Sequence, residues 1–257
     1  MNVAIITLDS LRFDSAQAAN TPNIKRYFEK FSKEKDWVKV KSHGTYTLPA
    51  HMSILHNGRL PGDPNLPFPY DAGHGEMSVF RNSLPWIRNK PAVFTLPDAQ
   101  NIVKGFSKVG YRTVGVGGVG WFNTQVPTSA FWKDFYFDEF YWDFSFHEDE
   151  TSSFENQLNL TDKLLNDHPL DKNLFLFLNI SSTHAPYRHN GNSVEGQAKC
   201  LEYVDFHIPR LLDKLPKPCY VVICADHGDC FGEDGYHGHA FYHPKVMEIP
   251  MNIFMME

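Results

Sequence analysis

Asp226 and His227 stand side by side in VVICADHGDCFGEDGYHGH, directly after an apolar run that reads as a buried strand. An aspartate offers a hard oxygen and a histidine an imidazole nitrogen, so adjacent positions at a strand's carboxyl end fix one corner of a metal site. Three further segments set candidates beside that corner. ITLDSLRFD ends its apolar run on Asp9, a carboxylate placed as a further metal ligand would be. SHGTYTLPAHMSIL puts Thr47 just ahead of Pro49, at the start of a helix whose free N–H groups can receive an anion. LFLFLNISSTHAPY brings His184 off another strand toward the same edge. Arg12 and Arg59 lie near these segments, where a guanidinium takes either a phosphate or a surface ion pair.

Positioning such residues requires several strand ends on one sheet edge. The alternation of short apolar runs with amphipathic stretches predicts a mostly parallel sheet between helices, an α/β three-layer α/β/α sandwich. Strands are predicted at 2 to 8, 111 to 116, 173 to 180, 219 to 225 and 249 to 255. Helices are predicted at 21 to 34, 48 to 57, 98 to 108, 152 to 166 and 195 to 215. One domain over 1 to 257 is expected, with loop or lid insertions at about 60 to 95 and 118 to 150. The aromatic run FWKDFYFDEFYWDFSFHED falls in the second insertion and either shapes a substrate pocket or packs.

Composition narrows the function classes. The 257 residues are 42% hydrophobic, enough for a sizeable core, and the net charge of -6 carries no basic footprint for a nucleic acid polymer. The opening MNVAIITLDS lacks a basic flank and is too short for a membrane span. Cys200, Cys219, Cys224 and Cys230 show no paired spacing, so reduced thiols and a cytoplasmic location are expected. GVGGVG at 115 to 120 matches a dinucleotide fingerprint only formally, since no good helix follows it.

In this order the motifs resemble the alkaline phosphatase superfamily, most closely its sulfatase-like branch of metal-dependent hydrolases and transferases. The resemblance spans nearly the whole chain. It implies an alkaline-phosphatase-like fold, here lacking the branch's C-terminal subdomain. It matches Asp9 and Asp226-His227 to metal ligands, Thr47 to the nucleophile, and His239 to the histidine twelve residues past the first in DHGDCFGEDGYHGH. Departures are equally informative. Thr47-Leu-Pro-Ala-His51 replaces the Cys or Ser motif from which sulfatases make formylglycine, and Gly118 stands where they carry a substrate-contacting lysine. The imidazole of His227 shifts metal preference toward zinc or manganese, as one or two ions.

The resulting expectation is a phosphoester hydrolase, phosphatase or phosphodiesterase, that forms a phosphothreonine at Thr47 on a small-molecule substrate. Metal ligands are expected from Asp9, Thr47, Asp226, His227, His239 and His184. Catalysis is assigned to Thr47 and His184, and substrate contacts to His184, His239 and Arg12. A phospho-group transferase, a sulfatase or a phosphonate hydrolase would use related chemistry. A metal-binding protein without turnover is the alternative from another class. His237 and His243 read as solvated loop histidines, Cys230 as a turn residue, and Thr45 lacks the spacing to proline that marks Thr47.

Overall fold

The computed structural model describes residues 1–56, 101–126 and 129–257. In chain order the elements begin with β1 (Asn2–Leu8), α1 (Phe13–Ala18), α2 (Pro22–Phe31), β2 (Val38–Lys41), α3 (Thr47–Leu55) and α4 (Ile102–Lys108). There follow β3 (Arg112–Val116), β4 (Glu139–Tyr141), α5 (Ser153–Asn166), β5 (Leu174–Ile180) and α6 (Val194–Leu212). The last are β6 (Cys219–Ala225), β7 (Cys230–Phe231), β8 (His237–Gly238), α7 (Pro244–Met247) and β9 (Glu248–Met256).

Seven strands form the central sheet in the order β2-β9-β6-β1-β5-β3-β4, with β7 and β8 as a separate ribbon. β6, β1, β5, β3 and β4 run parallel, and β9 is antiparallel to both β6 and β2. A central parallel strand is covered on both faces and needs apolar residues at every position. β5 shows this directly. Its Leu174, Leu176, Leu178 and Ile180 face a core built with α1, α2, α5 and α6, while Phe175 and Phe177 face a second core with α3 and α4. Helices therefore cover both faces, giving the three-layer architecture.

The same period of two places the polar residues. Thr7 has the parity of Ile5, and Asn179 that of Phe177, so both point to the α3 face. Cys224 pairs with Thr7, and Ala225 with Leu8. One step further on, Asp9 and Asp226 leave adjacent strands on that face.

The stretch 118 to 150, expected as a loop or lid, differs from that expectation. It supplies β4 at the sheet edge, and Phe131, Trp132, Tyr136, Phe137, Phe140 and Trp142 are buried in the second core. Trp132 stacks on Phe140 with ring centroids 6.0 Å apart, and its indole N–H donates to the Trp121 carbonyl. Burial of so many rings outweighs any advantage of a solvated loop. The other insertion, 60 to 95, lies outside the described residues. Gly118 is equally determined by packing: a Cβ there would sit 2.5 Å from the Asn179 carbonyl oxygen, so no lysine-like side chain fits.

Candidate active site

At the carboxyl ends of β1 and β6, Asp9, Asp226 and His227 place one ligand atom each within 4.8 Å of one another, all buried. His227 Nε2 lies 3.5 Å from Asp226 Oδ2 and 3.8 Å from Asp9 Oδ1. Thr47, the first residue of α3, brings its Oγ1 to 3.4 Å from the same nitrogen. The four residues come from three segments far apart in the chain. Gly228 makes this possible, because a Cβ there would lie 2.2 Å from the Lys245 carbonyl oxygen.

Each side chain is oriented from behind. His227 Nδ1 donates to the Gly228 carbonyl at 2.9 Å, which leaves the Nε2 lone pair facing the cluster. Burial, then the neighbouring His239, pushes its pKa down to about 3, so it is the neutral ligand form. Asp226 Oδ1 accepts the backbone N–H groups of Ser10 and His227 at 3.0 and 2.9 Å. Its Oδ2 is buried with no hydrogen-bond partner. Burial raises the pKa of both aspartates, and for Asp9 the charge of Asp226 adds to the rise.

Asn179 donates to Asp9 Oδ2 at 3.0 Å and to Thr7 Oγ1 at 3.1 Å, so both amide protons are used. His51 completes this chain. Its Nδ1 donates to the Thr47 carbonyl at 2.7 Å, which leaves Nε2 to accept the Thr7 hydroxyl at 2.9 Å. His51 Nδ1 also lies 3.6 Å from Asp226 Oδ2. Asn179 and His51 were not among the sequence candidates. Parity with Phe177 is the signal that would have found Asn179.

His184 and His239 sit on the outer side of the cluster. The His239 ring is 4.4 Å from that of His227 and 5.5 Å from that of His184. His184 Nδ1 donates to the Ala185 carbonyl at 2.7 Å. Burial opposes charge on His184, but Asp9, Glu148 and Asp229 outweigh it and bring its pKa up to about 9. Asp229, also absent from the sequence candidates, is buried and bonds His239 Nδ1 at 2.6 Å.

Arg12 requires a correction. Expected to bind substrate, it is 1% exposed, with Nε and Nη2 on Asp14 at 2.8 and 2.6 Å and Nη1 on Glu233 at 2.6 Å. Its guanidinium also covers the Phe231 ring at 4.5 Å. A buried cation is tolerated only when paired, and these carboxylates take its donors. Arg59 lies outside the described residues. His243 bonds Asp234 and caps α7, and burial pushes the Cys230 thiol up to about 11.

The residues present fit a divalent cation. Two buried carboxylates, one oxygen without a hydrogen-bond partner and a neutral imidazole with its lone pair inward form a donor set of the kind that binds such an ion.

Sheet order and site together define a domain of the alkaline phosphatase superfamily with a candidate divalent-metal centre. The family model described as Sulfatase matches residues 76–253, and the chain belongs to that family. The matched span includes His184, Asp226, His227 and His239, while Asp9 and Thr47 precede it. Among solved structures, the chain is similar to the C-terminal periplasmic domain of phosphoethanolamine transferase EptC from Campylobacter jejuni. That match has a TM-score of 0.61 at 13% identity, covering 100% of this chain and 79% of that one. The soluble domain of lipooligosaccharide phosphoethanolamine transferase A from Neisseria meningitidis gives 0.63 at 15% identity, covering 99% and 76%. The C-terminal periplasmic domain of EptC from Escherichia coli, in complex with zinc, gives 0.60 at 12% identity, covering 100% and 73%. At these identities the likeness is one of fold.

The cytoplasmic expectation is overturned by these neighbours, two of which are periplasmic domains. All four cysteines are free and buried, and a buried thiol is inert, so their unpaired state does not identify a compartment. Among the described residues, no helix is long and apolar enough to cross a membrane.

Proposed function

We propose that this chain is a metal-dependent phosphoester enzyme that acts through a covalent phosphothreonine at Thr47. The observation that carries this is the 3.4 Å approach of Thr47 Oγ1 to His227 Nε2, beside the unpartnered Asp226 Oδ2. Asp9, Asp226 and His227, with Thr47, would hold one divalent ion, zinc or manganese by its mixed carboxylate and imidazole donors. When bound, the ion lowers the pKa of the hydroxyl beside it and neutralises charge on the phosphoryl group.

Thr47 then bonds to phosphorus as the bond to the leaving oxygen breaks. Because Thr47 opens α3, the partial positive charge of that helix end lies next to the reacting oxygen. Water or an acceptor alcohol opens the phosphothreonine in a second displacement. The likeness to proteins named as transferases supports an alcohol as the acceptor; hydrolysis uses the same first step. His184 and His239, outside the three-ligand cluster, take the phosphoryl oxygens and the protons. Sulfate ester hydrolysis through formylglycine has no precursor here, because Thr47 occupies the position of the converted Cys or Ser.

The test is a quenched incubation of the zinc- or manganese-loaded chain with a 4-nitrophenyl phosphodiester. A phosphorus-containing adduct mapped to Thr47 is expected. Turnover with the adduct on another residue, or no adduct and no nitrophenol release with either metal, would overturn the assignment.

A further inference from the structure

We propose that the flank formed by α2 and the edge strand β2 docks the protein on an anionic lipid bilayer. Residues 25 to 41 carry seven basic and three acidic side chains, a net +4, in a chain whose total is -6, which leaves -10 for the remainder. Such asymmetry turns one face toward negative charge while the rest of the surface is repelled.

The fold gathers these charges on one side. α2 buries Ile24, Tyr27 and Phe28 and partly buries Phe31, so its outer face presents Lys25, Arg26 and Lys30. Trp37 packs edge-on against Phe28 at 4.9 Å and brings the chain back beside the helix, with Lys33 and Lys35 exposed in the turn between. β2 then pairs with β9 alone, as the outermost strand, and exposes Lys39 and Lys41. Lys39 pairs with Glu248 at 3.1 Å, whereas among the described residues no ion pair neutralises Lys25, Lys30, Lys33 or Lys41. Lys30 and Arg26 rest over the Phe31 and Tyr27 rings at 4.7 and 5.2 Å. A ring holds the stem in place without cancelling the charge, which stays available to a partner.

The chemistry selects a bilayer among anionic partners. Six of the seven basic residues are lysines, compact hydrated charges without the planar fork that reads a defined phosphate or carboxylate. They spread along a helix of about 15 Å and the strand beside it, wider than a single headgroup. A flexible polyanion long enough to cover them would also meet the acidic remainder. A flat surface meets one face only and is screened from the rest beyond a Debye length of about 8 Å. The flank ends beside the candidate site, since Ser42, directly after β2, donates its hydroxyl to the Asp226 carbonyl. Docking is nevertheless independent of the chemistry at Thr47.

The test is sedimentation of the full chain with vesicles of phosphatidylcholine alone and of phosphatidylcholine mixed with phosphatidylglycerol, at low and high NaCl. Binding to the anionic vesicles alone, lost at high salt, is expected. In Lys25→Glu/Lys30→Glu/Lys33→Glu the vesicle partition coefficient should fall by at least about 100-fold, at about fivefold per basic residue removed. The same change of net charge made at other exposed positions, in Lys108→Glu/Lys163→Glu/Lys172→Glu, should leave most of the binding in place. Thermal unfolding monitors the fold, and if the first triple variant does not fold, the corresponding Lys→Gln triple decides. No sedimentation of the wild type with anionic vesicles at low salt would overturn the assignment, as would equal losses in the two triple variants. Retention of the wild type on double-stranded DNA at a salt concentration that releases the vesicles would give the face to a polymer and overturn it equally.

Discussion

Thr47 Oγ1 and His227 Nε2 stand 3.4 Å apart across 180 residues of sequence. His227 is set by the end of β6 and by its bond to the Gly228 carbonyl, and Thr47 by the first turn of α3 over the same face of the sheet. His51, one turn further along α3, ties the Thr47 carbonyl to Thr7 on β1. The hydroxyl is therefore delivered to the ligand cluster by a helix anchored to the strand that carries Asp9.

Thr47→Ala should keep the fold and bind metal, yet lose the covalent adduct. The expected fall in kcat is about 10³-fold or more, equivalent to about 4 kcal/mol of barrier. Thr47→Ser retains a hydroxyl and should recover part of the rate. Steady-state kinetics with intact-mass analysis checks both, and an alanine variant with wild-type kcat would move the nucleophile elsewhere.

Asp226→Asn removes an anionic ligand while keeping the shape of the side chain. Metal affinity should drop by more than about 100-fold, read by calorimetric titration. Chelation of the wild type should lower its melting temperature, since at free metal about 100 times Kd the bound ion contributes about 2.7 kcal/mol. A chelated protein that melts with the loaded one would count against an ion at this cluster.

Asn179→Ala leaves every proposed ligand in place but frees Asp9 Oδ2 and the Thr7 hydroxyl from their donor. Loss of such an orienting group typically costs about 10–100-fold in metal affinity or activity. Asn179→Asp should be worse, because it sets a second negative charge against Asp9. Unchanged metal binding in both variants would show that Asp9 needs no such support.

Arg12 and Asp14 provide the pH dependence. Burial opposes charge on Asp14, but hydrogen bonds from Arg12 and Lys245 prevail and lower its pKa from 3.8 to about 2. A carboxylate with a depressed folded-state pKa adds stability that is fully present above pH 3.8 and lost as pH falls toward about 2. The Asp14 side chain is 34% exposed, so solvent screening reduces the contribution to about 1 kcal/mol. Asp14→Asn should therefore be less stable than wild type at pH 7, with the gap closing across that acid window. A gap of constant size in acid denaturation would remove Asp14 as its source.

Much of the framework was legible because local patterns suffice for it. The apolar runs of β1, β5 and β6 and the helices α5 and α6 fall within a few residues of their predicted bounds. β2 and β4 were missed: they are short edge strands of four and three residues, too brief to show a periodic signal. The aromatic run before β4 was ambiguous for another reason, since only burial distinguishes rings that pack from rings that line a pocket.

The candidate site divides in the same way. Asp226-His227, Asp9 and Thr47 could be singled out because residue type at a strand or helix end is itself a chemical signal. His51 and Asp229 carry no such signal, Asn179 is marked only by its parity with Phe177 near the end of β5, and Arg12 carried a misleading one. Their partners lie tens to hundreds of residues away, as Asn179 to Asp9 across 170 and Arg12 to Glu233 across 221.

By itself the order of amino acids determined which segments become strands and helices, and which chemical groups stand at their ends, because both follow from nearest-neighbour periodicity and side-chain type. Only the folded arrangement decided which of those groups meet. Sheet register aligned Asp9 with Asp226, and burial removed the water that would otherwise satisfy them. That is why one buried oxygen of Asp226 has no hydrogen-bond partner, while the guanidinium of Arg12 is paired with Asp14 and Glu233.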